Sequence, residues 1–362
     1  MNAPASLRRS RPRIRGHRGR RRTTRARGTI AAAALAVAVL AGCAGQSGPG
    51  DEEGAGAGQQ PDAAESTEVT IGLTYIPDVQ FAPFYLAQDA GYFEAEGLEV
   101  DLRHHGASES LFGALEAGEE DVVIAGNDEI LQAVSHGTDV VSLATIYQDY
   151  PVQIFVPADS ELTEVADLAG RNLGVPGPFG QSWFGLLGYL DRAGLSEDEV
   201  NIEHVGFTLF NALSEGHVDA VVGFVTADAA AFATADFPVR TIADPDVLPL
   251  VSVGLGASQE WLNDHSEAVP GLIRAVERAV DDIRADPQVA VDAASAQIPG
   301  TMTDQDEASA LLTAEAMVEL YGTGEFGAQD PEAWEEMAEF MDQVGLLDEP
   351  VPADEAYTTQ WR

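Results

Sequence analysis

One internal repeat constrains this chain more than any other feature. Glu99-Val100-Asp101-Leu102 is echoed a hundred residues later by Glu199-Val200-Asn201-Ile202, and Gly106 by Gly206. After a two-residue slip, Leu111-Phe112-Gly113-Ala114-Leu115 matches Leu209-Phe210-Asn211-Ala212-Leu213; Gly118, Asp121 and Val123 then match Gly216, Asp219 and Val221. Each copy reads as strand, loop, helix, turn, strand. Two βαβ units in one chain predict two α/β lobes of similar architecture.

The rest of the body fits that frame. Short β-branched runs alternate with longer amphipathic stretches from Glu68 onward, the pattern of α/β proteins. Strands are predicted at Val69–Leu73, Glu99–Arg103, Val122–Ala125, Val140–Ile146, Gln153–Val156, Asn172–Val175, Asn201–His204 and Ala220–Phe224. Helices are predicted at Ala82–Ala90, Ser108–Ala117, Asp128–Ser135, Gln181–Ala193, Leu209–Ser214 and Asp228–Ala233. Further helices follow at Glu260–His265, Val269–Arg284, Pro287–Ala296, Asp304–Leu320 and Pro331–Val344. Pro151–Pro157 and Asp244–Gly256 have the extended, Pro/Gly-marked look of crossings between lobes. Lobe 1 is thus expected over residues 68–152 and 250–362, and lobe 2 over 153–249. Two lobes joined by two crossings make a hinged clamshell with its ligand cleft between them.

Charge narrows the partners. All sixty Asp and Glu lie beyond Cys43, against eight arginines, leaving that part a formal charge of −52. Such a surface repels nucleic acid and anionic lipid, so the body is expected to bind neither. There is no lysine, which excludes a lysine Schiff base. Most of the acids read as solvated surface. The seven histidines show no metal-ligand spacing, and the adjacent His104 and His105 on one strand face opposite sides. No metal and no cofactor are expected.

The start of the chain reads as an export signal. Eleven arginines fall between Arg8 and Arg27, followed by an apolar run from Thr29 to Leu40, too short to span a bilayer. The run ends in Leu40-Ala41-Gly42-Cys43, which resembles the lipobox of bacterial lipoproteins. That resemblance implies that Cys43, the sole cysteine, becomes the lipid-modified first residue of an exported protein, held at the outer face of the cytoplasmic membrane by its acyl chains. Residues 44–67 are Gly, Ala, Ser, Gln, Pro and acids, expected to form a disordered tether with a reach of roughly 25–30 Å.

A second resemblance covers Val69 to Asp286. It is carried by Tyr75-Ile76-Pro77-Asp78-Val79-Gln80-Phe81-Ala82-Pro83-Phe84-Tyr85-Leu86-Ala87-Gln88, then Gly91-Tyr92-Phe93 and Gly97-Leu98-Glu99-Val100. Leu115-Glu116-Ala117-Gly118 with Asp121, Asp167-Leu168-Ala169-Gly170, and Gly216 with Asp219 add to it. These residues resemble type II solute-binding proteins, nearest the branch that binds thiamine-pyrimidine precursors, with riboflavin and alkanesulfonate binders as relatives. The resemblance implies a type II periplasmic binding protein fold, each lobe a βαβ-based sheet flanked by helices. It implies a non-enzymatic receptor that hands a small aromatic heterocycle to an ABC permease and its ATPase. Riboflavin and alkanesulfonate or taurine are the alternative ligands. A sensory lipoprotein of the same fold is an alternative role. A eukaryotic relative makes the thiamine pyrimidine with pyridoxal phosphate, but the missing lysine disfavours that chemistry here.

Cleft residues of such a clamshell sit at the C-terminal ends of strands and the helix starts that follow. Tyr75, Phe81 and Tyr85 in the first such segment are candidates to stack on a flat ring, with core packing as the alternative. Asn127 and Asp128 offer acceptor and donor groups to a ring amine or amide, though Asp128 is also a plausible N-cap. Tyr147 and Gln148 end the strand beside the first crossing. In lobe 2, Phe179 and Ser182 lie where Gly174–Ser182 runs from strand to helix, and the spacing there is not that of a nucleotide-binding motif. Phe207, Phe224 and Thr226 complete the candidate set. The pyrimidine branch often carries an acid near this last segment, where this chain has only Asp228.

Overall fold

Val69, Ile71 and Leu73 bury their side chains on alternate positions of the first strand, β1 (Thr67–Leu73), and start the first of two sheets. The computed structural model describes residues 66–106, 109–300 and 302–361. The arginine-rich leader, Cys43 and residues 44–65 of the tether lie outside the described residues. Among the described residues, no helix is long and apolar enough to cross a membrane.

The chain continues through α1 (Ala82–Asp89), α2 (Tyr92–Ala95), β2 (Leu98–His104), α3 (Gly113–Glu116), β3 (Val122–Gly126), α4 (Asn127–Ser135) and β4 (Val141–Thr145). It then enters the second sheet with β5 (Val152–Pro157), β6 (Asn172–Val175), α5 (Gly180–Ala193), β7 (Asn201–His204), α6 (Leu209–Ser214), β8 (Ala220–Phe224), α7 (Ala227–Thr234) and β9 (Val239–Thr241). It returns with β10 (Val253–Ala257) and ends in five helices: α8 (Gln259–His265), α9 (Val269–Ala285), α10 (Gln288–Gln297), α11 (Asp304–Leu320) and α12 (Pro331–Gln343).

The two sheets have equivalent strand orders, β2-β1-β3-β10-β4 and β7-β6-β8-β5-β9. In each, three strands run parallel, and the fourth position is taken by an antiparallel strand delivered by a crossing. The repeat read from sequence is this βαβ core. Its matched aspartates do the same work. Asp121 accepts the Thr70 N–H at 2.8 Å and Asp219 accepts the Asn172 N–H at 2.9 Å, each pinning the start of one strand to its neighbour. The chain therefore has a two-lobed α/β fold.

Three expectations need correction. The crossings are shorter than Pro151–Pro157 and Asp244–Gly256, because Val152–Pro157 and Val253–Ala257 pair as strands. Of the helix expected over Ser108–Ala117, the described residues are helical at Gly113–Glu116, while Leu111 and Phe112 pack against the core from a turn ahead of it. The first strand starts at Thr67, the last residue assigned to the tether.

Packing follows the lobes. One core lies under the first sheet, where α9 turns its buried face (Leu272, Val276, Val280 and Ile283) against α1 and the sheet. A second core fills the other sheet with Val152, Ile154, Leu173, Val175, Leu186 and Val222. A third joins the two lobes: Leu131 of α4, Phe184 and Leu187 of α5, and Trp334, Met337 and Phe340 of α12 pack together. On another face of the body, α7 of the second lobe packs against α11 of the first.

Candidate functional site

The parallel strands of both sheets end on the same cavity. Its walls are the segments after β1, β2 and β3 on one side and after β6, β7 and β8 on the other, with residues after β4 at the back. Its volume is about 440 Å³, within the range of small-molecule sites.

The lining is mainly aromatic and aliphatic. From lobe 1 come Tyr75, Phe81, Phe84 and Tyr147; from lobe 2 come Phe179, Phe207 and Phe224. Phe179 and Phe207 are 59% and 74% exposed, so they stand at the mouth, where an apolar ring has no packing reason to be. Tyr75 and Phe207 meet across the mouth with ring centroids 6.5 Å apart. The wall behind Tyr75 is braced by His104 at the end of β2. One ring nitrogen of His104 bonds the Tyr75 carbonyl at 3.0 Å and the other the Tyr85 hydroxyl at 3.0 Å. Phe81 packs edge-on against the same imidazole.

The structure brings together Tyr75, Phe81, Tyr147, Phe179, Ser182, Phe207, Phe224 and Thr226 on the cavity wall. Four expected residues are not on it. Tyr85 is fully buried in the core against His104, on the side of α1 turned away from the cavity. Asn127 is buried with its amide donating to the Thr145 hydroxyl at 3.0 Å. Gln148 turns back to donate to the Thr145 carbonyl at 3.0 Å. Asp128 is buried behind the wall and accepts a hydrogen bond from the Tyr150 hydroxyl at 2.6 Å. Nor is Asp128 an N-cap: α4 starts one residue earlier, at Asn127, and it is Glu129 that reaches back to the Gly126 N–H at 3.0 Å.

The polar side of the cavity lies where the N-terminal ends of α4 and α5 approach each other. Glu129, Gln181 and Ser182 line it there. Glu129 and Gln181 are not among the candidates expected from sequence. The spacing Gly126-x-x-Glu129, a helix-start pattern, was the available signal for the first. Burial beside Asp128 pushes the Glu129 carboxyl up, and burial pushes Asp128 up as well, despite the Tyr150 hydroxyl, the Glu129 N–H and the Gln181 side chain, which favour its ionised form. The Gln181 amide thus lies close to Asp128, yet its Nε2 is buried with no hydrogen-bond partner of normal geometry. Asp228 also lines the cavity, but one of its oxygens is committed to the Phe224 N–H at 2.8 Å.

Among the described residues, no arginine or histidine is on the wall. Six guanidinium groups are engaged elsewhere, among them Arg103 with Glu109 and Glu120, Arg192 with Glu336, Arg240 with the Ser160 and Leu162 carbonyls, and Arg274 with Glu96. Arg278 stacks over Tyr92, and Arg284 reaches Asp281 and the Tyr321 carbonyl. No cluster of potential metal ligands occurs among the described residues.

Comparison with known proteins gives consistent matches. Residues 78–290 match the family model described as NMT1/THI5 like. The chain is 30% identical over 300 residues to the riboflavin-binding protein RibY of Chloroflexus aurantiacus, covering 81% of this chain and 86% of that protein. It is 25% identical over 345 residues to the formylaminopyrimidine-binding protein of Halalkalibacterium halodurans, covering 90% of this chain and 96% of the relative. Among solved structures, the periplasmic aliphatic sulphonate binding protein SsuA of Escherichia coli superposes with a TM-score of 0.68 at 17% identity, over 80% of this chain and 96% of that one. At that identity the likeness speaks for the fold alone.

Proposed function

The chain belongs to the NMT1/THI5-like family, and on that premise we propose that it is a solute receptor of an ABC importer that captures a small aromatic heterocycle. The ligand is of the thiamine-pyrimidine or riboflavin type, and the receptor delivers it to the permease and its ATPase. The observation that carries this reading is the composition of the interlobe cavity: seven aromatic rings, two carboxyls and no cation. A flat ring gains stacking on such walls beyond its area burial, and its N–H groups find acceptors. A sulfonate would need a cationic or dense N–H partner, and every arginine with a described partner is engaged elsewhere.

The body works outside the cytoplasm, tethered through Cys43 and residues 44–67, with lobe 1 over 68–152 and 250–362 and lobe 2 over 153–249. It is a binder and not an enzyme. A chain without lysine has no amine to hold a carbonyl cofactor, and the cavity's acids are not paired with a nucleophile. Tyr75, Phe81, Tyr147, Phe179, Phe207 and Phe224 are the ring-facing side chains; Ser182 and Thr226 are the nearest hydroxyls.

Isothermal titration calorimetry with 4-amino-5-hydroxymethyl-2-methylpyrimidine, riboflavin and taurine tests the assignment. Micromolar or tighter binding of one of the heterocycles is expected, and no heat from taurine. Tight binding of taurine with no response to either heterocycle would overturn it.

A further inference from the structure

The cavity has one polar pole, and it is built from both lobes. Glu129 sits in the first turn of α4, and Gln181 in the first turn of α5. They meet at Gly126. Its N–H bonds Glu129 Oε2 at 3.0 Å, and a Cβ added to it would lie 2.2 Å from Asp128 Oδ1 and 2.9 Å from Gln181 Nε2, so only glycine leaves room for Asp128 and Gln181 to approach here. Across the gap, Glu129 Oε1 lies 3.3 Å from where a Cβ on Gly180 would be, within reach of the second lobe.

Each member of the pair has one group left over. Glu129 spends Oε2 on the backbone, and no protein donor is recorded for Oε1 among the described residues. Gln181 is 6% exposed, and its Nε2, close to Asp128, has no hydrogen-bond partner of normal geometry. A buried amide N–H left unpaired costs about 1–3 kcal/mol, a cost that a ligand atom seated in the cavity beside it would offset. One group is an acceptor when ionised and the other a donor, and both residues line the same cavity.

We propose that Glu129 and Gln181 are the specificity-determining pair of this receptor, reading a heterocycle edge that presents an N–H next to an acceptor atom. In its ionised form, which a ligand N–H favours, Glu129 accepts from that N–H, and Gln181 donates to the neighbouring ring nitrogen or carbonyl. An amino group beside a ring nitrogen has this edge, and so does a cyclic imide. An aliphatic sulfonate, with acceptors only, does not. Because one residue belongs to each lobe, the edge of the ligand also bridges them. The charged and titratable groups around the pair are few. Asp128 is its neighbour on α4, Tyr150 approaches from the crossing and Asp228 from α7. None of these supplies a competing cation.

This inference rests on the receptor reading above, and the two fail differently. Calorimetry is run on wild type, Glu129→Gln and Gln181→Leu, with 4-amino-5-hydroxymethyl-2-methylpyrimidine and riboflavin. It is repeated with the same compounds lacking the edge: the pyrimidine without its amino group, and 3-methylriboflavin. Each substitution should weaken the parent compound at least tenfold, and the edge-deleted analogue should bind wild type and variants alike. If wild type binds a parent compound but both variants bind it within twofold of wild type, the pair is not the reader and the receptor reading stands. If wild type binds neither parent compound, both readings fall. Should a variant not fold, as judged by circular dichroism, the analogues on wild type still decide: equal affinity for parent and analogue refutes the pair.

Discussion

Tyr150, at the end of the first crossing, donates its hydroxyl hydrogen toward Asp128 of lobe 1, at 2.6 Å, and lies 3.1 Å from the carbonyl of Gln181 in lobe 2. One phenol therefore touches both helix starts that frame the polar side of the cavity. Its position between the sheets makes it a clasp between the two helix starts, and its partner is a buried carboxyl.

Removing that hydroxyl by Tyr150→Phe should destabilise the protein by about 1–3 kcal/mol, the cost of a buried acceptor losing its donor. That is a drop of several degrees in Tm for a body of this size. The loss should be larger at pH 8.5 than at pH 5.5, because a protonated Asp128 needs the donor less. Thermal unfolding at the two pH values checks both statements; an equal loss at each would show that the carboxyl is not the partner that matters.

A second expectation concerns the aromatic wall. Tyr75 faces Phe207 across the mouth and is held from behind by His104. Stacking contributes about 0.5–1.5 kcal/mol per aromatic pair beyond the area it buries. Tyr75→Ala should then weaken heterocycle binding roughly tenfold or more, since 1.4 kcal/mol is tenfold. Calorimetry reads this directly, and an unchanged Kd would remove Tyr75 from the site.

The acid pair sets a pH dependence. Burial raises Asp128 to about 7 and Glu129 to about 8, with mutual repulsion adding to the second. A carboxyl whose pKa is higher folded than unfolded takes up a proton on folding, so stability falls as pH rises from the unfolded value near 4 to about 8. Asp78 and Asp228, also raised by burial, act in the same direction. Asp167, Glu199 and Asp306, lowered by backbone hydrogen bonds, act in the opposite direction but only below the ordinary carboxylate range. Tm of the ligand-free protein should therefore fall between pH 5.5 and 8.5. Glu129→Gln should flatten part of that fall; parallel curves for the two proteins would refute the assignment.

Most of this fold was legible because each lobe obeys one pattern: alternating apolar strands, amphipathic helices, and an aspartate at the same place in both copies. Strand β10 was not, because Gly254 and Gly256 made it look like a crossing. In the sheet these glycines are there for contact, since Asn127 and Val140 press against them. Strand β9 is three residues long and carries an arginine, too little for any pattern. At the site the aromatic residues stood out because rings clustered near strand ends suit a flat ligand, although Tyr85 proved to be core packing. Glu129 was hidden among sixty acids, and only the approach of α5 distinguishes it from a solvated one. Asn127 and Asp128 had suitable chemistry, but the helix start turns them toward Thr145 and Tyr150 and away from the cavity.

The leader makes its own prediction. If Cys43 carries the anchor, Cys43→Ser should release the protein into the medium or block its maturation. Fractionation of the native host followed by immunoblotting checks this, and unchanged membrane retention would discard the lipobox reading.

The last expectation tests the returning strand. A Cβ on Gly254 would lie 2.5 Å from the Ala144 carbonyl oxygen and 2.6 Å from Asn127 Oδ1. The first is backbone of the paired strand β4 and has nowhere to move, so Gly254→Ala must push β10 out of register or displace Asn127. Overpacking of this kind costs about 1–3 kcal/mol. Asn127 is the first residue of α4, two before Glu129, so the same change should also weaken ligand binding. Gly256→Ala is the control: its new methyl would meet Val140 Cγ2 at 3.0 Å and Ile130 Cδ1 at 3.1 Å, side-chain methyls that need to give far less than a backbone oxygen at 2.5 Å. Thermal unfolding should rank Gly254→Ala well below Gly256→Ala, and calorimetry should show a binding loss only for the first. If Gly256→Ala proves the more damaging, β10 is not seated between β3 and β4 as described.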